Sequence, residues 1–206
     1  MSFAMLNTTT TEGATAHWAG TATAASVNAA GGNITAVNIS AVSLTTRWAA
    51  FSGNVSASIN LTNGATSVYS WAWSPTAGGR VCLSTGTGFN WNTPFNVTGT
   101  TNMTAANTLW GFGTNADNFT NTFLTPCTLT IGGILINATN ATHLGGSSTF
   151  TDCLVQDNAV AAMTDFAYCT NISSSGTNYA NTAVNYEVMV PVTGATQSYA
   201  FFLELS

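Results

Sequence analysis

The chain has 206 residues, and only nine are charged: Arg47 and Arg80 against four Asp and three Glu, with no lysine and a formal net charge of −5. A charged fraction of 4%, against about 25% in ordinary soluble domains, excludes nucleic-acid binding, which needs clustered cations to neutralise phosphate, and polybasic docking to anionic membranes. A hydrophobic content of 45% with 11% aromatic residues supplies the burial that disordered chains lack.

The first thirty residues read as an extended N-terminal arm. Phe3, Met5 and Leu6 sit at its start, a threonine run covers Thr8 to Thr11, and Ala14 to Ala25 is mostly Ala and Thr around His17 and Trp18. Such a segment fits a donor strand, which completes the sheet of a neighbouring subunit through main-chain hydrogen bonds. An edge strand packed on its own domain and a leader remnant are the alternatives.

From residue 31 to 206 the chain reads as a single β-sandwich, because period-two alternation recurs and helical periodicity does not. Asn33 to Trp48 is the first expected strand. Val55, Ala57, Ile59 and Leu61 then alternate with Asn54, Ser56, Ser58 and Asn60, and Tyr69, Trp71 and Trp73 share one strand face. Further strands are expected at Arg80–Ser84, Phe119–Ile131, Ile134–Asn137, Ser148–Val155 and Thr164–Thr170. Val184, Tyr186, Val188 and Val190 alternate before a turn at 191–196, and Tyr199, Phe201, Leu203 and Leu205 form the last strand. Turns fall at Asn63-Gly64, Gly78-Gly79, Gly132-Gly133, Gly145-Gly146, Ser173 to Gly176 and Thr193-Gly194. About nine to eleven short strands at this spacing specify an all-β antiparallel sandwich.

So neutral a chain needs another source of solubility or is meant to assemble. Asn-x-Ser/Thr sequons occur at Asn7, Asn33, Asn38, Asn54, Asn60, Asn96, Asn102, Asn118, Asn137, Asn140 and Asn171, nearly twice the roughly six that random placement gives. N-glycosylation places a protein outside the cytoplasm. The four cysteines, Cys82, Cys127, Cys153 and Cys169, have no metal-ligand spacing and fit two disulfides in an oxidising compartment. Three connectivities are possible. Cys153 and Cys169 flank a segment with a central turn, so a hairpin staple between them, with Cys82 joined to Cys127, is the expected pairing.

Chemistry-bearing motifs are scarce. His17 and His143 stand in no catalytic arrangement, no Gly-x-Ser-x-Gly elbow occurs, and Asp117, Asp152, Asp157 and Asp165 are expected to be solvated loop carboxylates rather than Ca²⁺ ligands. The expectation is no enzyme, no metal and no cofactor. The Tyr69, Trp71 and Trp73 row is either core or a platform for stacking sugar rings.

Two blocks carry a resemblance. One is Arg47-Trp48-Ala49-Ala50-Phe51-Ser52-Gly53-Asn54-Val55-Ser56-Ala57-Ser58-Ile59-Asn60-Leu61, followed by Tyr69-Ser70-Trp71 and Gly79-Arg80-Val81-Cys82. The other is Tyr186-Glu187-Val188-Met189-Val190-Pro191 with the ending Tyr199-Ala200-Phe201-Phe202-Leu203-Glu204-Leu205. Together they resemble secreted archaeal surface proteins with a Trp-x-x-Phe-x-Gly-Asn-Val block and a closing Tyr-x-Phe-x-x-Glu-Leu strand. In style, the low charge, sequons and N-terminal arm resemble archaeal thread and bundling-pilus subunits. That likeness implies a glycosylated sandwich polymerising by donor-strand complementation.

The functional expectation is a structural subunit of an extracellular, cell-surface filament, thread or sheath. Its partners would be identical copies and covalent N-glycans, with no nucleic acid and no membrane span. The alternative is a monomeric cell-surface adhesin or carbohydrate-binding module.

Overall fold

The alternating segments fold as strands because every second side chain of an extended backbone points to the same side, so one face can be buried while the other stays wet. The computed structural model describes residues 4–10, 18–22, 28–29, 32–63, 66–85, 89–157, 165–193 and 197–205, with the side chains of residues 4–36, 58–71, 100–101 and 197 outside that description. In chain order the strands are β1 (Ala4–Thr10), β2 (Trp18–Ala22), β3 (Asn28–Ala29), β4 (Gly32–Ser43), β5 (Trp48–Gly53), β6 (Val55–Asn63), β7 (Thr66–Trp73), β8 (Gly79–Ser84) and β9 (Phe95–Asn96). Two helices follow, α1 (Gly99–Leu109) and α2 (Phe119–Thr122). The remaining strands are β10 (Thr125–Ile131), β11 (Ile134–His143), β12 (Thr151–Gln156), β13 (Phe166–Asn171), β14 (Gly176–Thr177), β15 (Ala183–Val184), β16 (Tyr186–Pro191) and β17 (Gln197–Leu205).

They form an antiparallel, all-β sandwich. One sheet runs β1-β17-β8-β13-β12-β11-β10, with β9 added on β12, and the other joins β16, β5, β4, β6 and β7, with β2 and β3 on β4. Strands β5 and β6 act as one long ribbon, since β4 pairs with both, Ser40 facing Ser52 and Val37 facing Val55. Between the sheets lies the main core, where Phe51 meets Tyr199 and Phe201 at ring separations of 6.0 and 5.6 Å. Each such side chain contributes about 1.5–3 kcal/mol by leaving water.

A second core covers the opposite face of the first sheet. It unites Leu129, Ile131 and Ile136 with Cys82, Phe89, Ala200 and Phe202. Although β10 and β11 are last in sheet order, the turn between them donates Gly132 N–H to Glu204 Oε1 on β17 at 3.1 Å. The sheet therefore curls until its far hairpin reaches back to β17. This is why β17 is buried on both faces from Tyr199 to Glu204.

Several expected elements come out differently. The Asn33–Trp48 strand is two strands, β4 and β5, separated by a tight turn in which Leu44 N–H donates to Trp48 O and Thr45 Oγ1 accepts from the backbone N–H of Arg47 and Trp48. Phe119–Ile131 is α2 followed by β10. Asn118 caps that helix, its Oδ1 accepting Asn121 N–H at 3.0 Å, which satisfies a donor the first turn leaves open. Helix α1 has no counterpart in the expected strand pattern. Its buried side, continued by the residue that follows it, is Met103, Ala106, Asn107 and Trp110. That is helical spacing, but too few of its positions are strongly apolar to stand out among Thr and Asn. Asn107 makes the face work, accepting Phe119 N–H and donating to Thr120 Oγ1.

Candidate functional site

The expected arm residues enter the fold at its edge. β1 pairs antiparallel with β17 over seven residues, from Ala4 opposite Leu203 to Thr10 opposite Gln197. Met5 faces Phe202 and Leu6 faces Phe201 in this register, whereas Phe3 lies outside the described residues. The other side of β17 pairs with β8, so β1 is the outermost strand of the sheet, and β17 is its sole strand partner among the described residues. Because β17 is packed on both faces, its main-chain donors and acceptors toward β1 form a fixed, preorganised row. Segment 4–10 contains no proline and no charge, the residues that natural edges use to block pairing.

The disulfides correct the expected connectivity. They join Cys82 to Cys169 and Cys127 to Cys153, and no described cysteine is free. The hairpin logic fails because Cys169 has a cysteine on each side, Cys153 on β12 and Cys82 on β8. In an antiparallel ladder the close, non-hydrogen-bonded positions stand about 4.5 Å apart and the bonded ones about 5.5 Å. Cys82 and Cys169, with Cα atoms 4.1 Å apart, belong to the close kind. Cys153 instead holds Cys127 and so ties β10 to β12 past the intervening β11.

The aromatic row does not offer three open rings. Trp73 is buried, with its indole N–H donating to Gly78 O at 3.2 Å. Tyr69 and Trp71 lie opposite Leu61 and Ile59 in the β6–β7 ladder, and their side chains are outside the description. His143 is exposed at the end of β11, and His17 lies outside the described residues.

The sequons divide by geometry. Asn38, Asn54, Asn96, Asn137 and Asn171 are exposed, Asn102 and Asn140 are half-buried, and Asn118 is buried. The Asn118 side chain is consumed by its own fold, capping α2 and donating to Gly113 O, so it is not an acceptor on the folded protein. The side chains of Asn7, Asn33 and Asn60 are outside the description.

The carboxylates hold the finding that sequence reasoning missed. Asp152 is not a solvated loop residue: it is fully buried on β12, its Oδ2 accepting Met189 N–H of β16 at 2.6 Å, while Oδ1 has no partner. Asp152 thus occupies a main-chain donor of β16. Glu187, also buried, accepts Tyr179 N–H on both oxygens at 3.0 Å. Glu204 pairs with Arg80 at 3.1 Å. Both arginines are committed elsewhere, Arg80 to Glu204 and Arg47 to Asp117 while covering the Phe112 ring, so no Lys or Arg in the chain is left for Asp152 or Glu187. The signal was present: Glu187 and Glu204 each stand inside an apolar strand run.

Burial therefore raises the Asp152 pKa well above the usual carboxylate range, opposed by the Met189 bond and reinforced by Glu187. Burial also raises Glu187, against the Ser148 and Tyr179 hydrogen bonds. Asp165, raised by burial and by Asp157, adds in the same direction. A carboxyl whose pKa is higher folded than unfolded holds its proton in the folded state while the unfolded chain has lost it. Stability is then complete below the unfolded value of about 4 and declines as pH rises toward the folded value. The expected result is a melting temperature that falls between pH 4 and pH 8, with a shallower fall in Asp152→Asn. Circular-dichroism melts across that range check it, and a flat or rising profile would refute the assignment.

No group of three or more His, Cys, Asp or Glu suited to a metal ion occurs among the described residues, and no helix among them is long and apolar enough to cross a membrane. Comparison of the chain with protein-family models, with curated proteins and with solved structures finds no match.

Proposed function

We propose that the chain is a structural, non-catalytic subunit of an extracellular glycosylated filament, thread-like or sheath-like, in which β1 of one copy pairs with β17 of the next. The observation that carries this reading is the β1–β17 edge. A strand whose pairing is confined to one edge can leave that edge and be replaced by the same strand from a neighbour, with all seven register pairs regained. Exchange of an identical element costs little beyond association entropy, and a head-to-tail contact that does not close produces a fibre. Two disulfides suit an oxidising, extracellular setting. The low charge removes repulsion between subunits packed side by side. The adhesin alternative has less support, because Trp73 turns its ring into the core.

The test is deletion of residues 1–12. Electron microscopy and sedimentation are expected to show polymers from the full chain and none from the truncated one, with a peptide of residues 1–12 binding the truncated subunit in trans. Polymers of normal length from the truncated protein would sink the proposal.

A further inference from the structure

A sequon read on a strand has a geometric property that one read on a helix or turn lacks. The asparagine and the hydroxyl residue two positions on emerge on the same face, and the residue between them points the other way. Two sequons meet this condition side by side. In Asn38-Ile39-Ser40 and Asn54-Val55-Ser56 the outer residues are all exposed, while Ile39 and Val55 are buried at 1% and 3% relative exposure. The Asn38 N–H donates to Asn54 O at 2.9 Å, so the two asparagines are neighbours across adjacent strands. Neither side-chain amide has a hydrogen-bond partner among the described residues. Ser40 and Ser56, two positions further along their strands, are exposed with them, so both sequon hydroxyls share the open face with their asparagines.

The other described sequons fall short. Asn118 is buried. Asn96 donates its amide to Asn137 O, and Asn137 accepts from Thr128 Oγ1. The hydroxyl residues of the Asn137 and Asn140 sequons, Thr139 and Thr142, are buried, and those of Asn102 and Asn171 belong to sequons only partly open to solvent.

We infer that the outer face of the β4–β6 sheet is the glycan-bearing surface of this protein, with Asn38 and Asn54 as its acceptor residues. The inference rests on the extracellular reading above and deepens it by naming the modified face. In the transfer, the asparagine amide nitrogen bonds to the anomeric carbon of a lipid-carried glycosyl phosphate. The carbon–oxygen bond to phosphate breaks, its electron pair leaves with the phosphate, and the amide releases one proton. A face so clad is closed to protein packing, which leaves assembly to the sheet edges.

Glycopeptide mass mapping of the protein from the cells that make it tests this. Sugar is expected on the peptides carrying Asn38 and Asn54. The combined N38Q and N54Q variant is expected to lose that mass, as is the combined S40A and S56A variant, which keeps both asparagines but removes the hydroxyls. Bare Asn38 and Asn54 in the native protein would overturn the inference, as would mass retained in the S40A and S56A variant. Microscopy of the same samples keeps the two readings apart: bare filaments would refute the glycan face alone, and sugar-bearing monomers would refute the filament alone.

Discussion

Replacing Cys82 and Cys169 together by alanine is expected to lower the unfolding free energy by about 4–5 kcal/mol. The bond closes a sequence separation of 87 residues, so opening it returns a large amount of loop freedom to the unfolded chain. The Cys127–Cys153 bond closes only 26 residues, and its removal is expected to cost about 3–4 kcal/mol. Domains are stable by about 5–15 kcal/mol in total, so the first change alone takes roughly a quarter or more of what is available. Its sulfurs also belong to the second core, beside Phe202 and Ala167, so the cavity left by the lost sulfurs adds to the cost. Denaturant titration of the two double variants measures both values. A smaller loss for the 82–169 pair than for the 127–153 pair would show that loop entropy does not rank these bonds.

Gly53→Ala is expected to destabilise by about 3 kcal/mol or more, beyond the usual range for an added methyl group. Gly53 ends β5, where the long β5–β6 ribbon passes the carbonyl of Asn38. A Cβ there would stand 1.7 Å from Asn38 O and 3.3 Å from the Tyr186 hydroxyl. Neither is a free side-chain end: the oxygen is backbone, and Tyr186 already donates to it at 2.8 Å. The ribbon would have to move away from β4, breaking the Asn38–Asn54 bond and pulling on Asn185, whose N–H donates to Gly53 O. The same titration reads the loss. A change below 1 kcal/mol would mean that β4 and β5 separate freely, contrary to their packing. Gly99→Ala is the comparison: with nothing within 4 Å of an added Cβ and a φ of +74°, its cost is confined to crowding within the local backbone, about 1–2 kcal/mol.

Much of the architecture was legible residue by residue. Alternation at Val55 and Ala57 against Asn54 and Ser56 named both the buried and the wet side of β6. The Arg80–Ser84 strand is β8 with one residue added, and the turns at Gly78-Gly79, Gly132-Gly133 and Gly145-Gly146 all carry positive φ, where glycine pays no steric penalty. Helix α1 was not legible because its stripe depends on Asn107, a polar residue buried only because α2 supplies partners for it. The exposed and buried sequons were indistinguishable as strings, since Asn118 becomes a cap only where the chain turns into α2.

Composition and period two by themselves determined a sparsely charged, antiparallel all-β sandwich, because strand formation and the choice of buried face depend on side chains two positions apart. Everything that required knowing which strand lies beside which was decided by the tertiary structure. The order β12-β13-β8 set two cysteines against Cys169, and the ladder spacing selected Cys82. The curl of the sheet brought Gly132 to Glu204 and buried β17 on both faces, leaving β1 at its edge. Packing of β12 against β16 placed the Asp152 carboxyl on a main-chain donor 37 residues away. Such contacts depend on the twist and order of whole sheets, which no local period encodes.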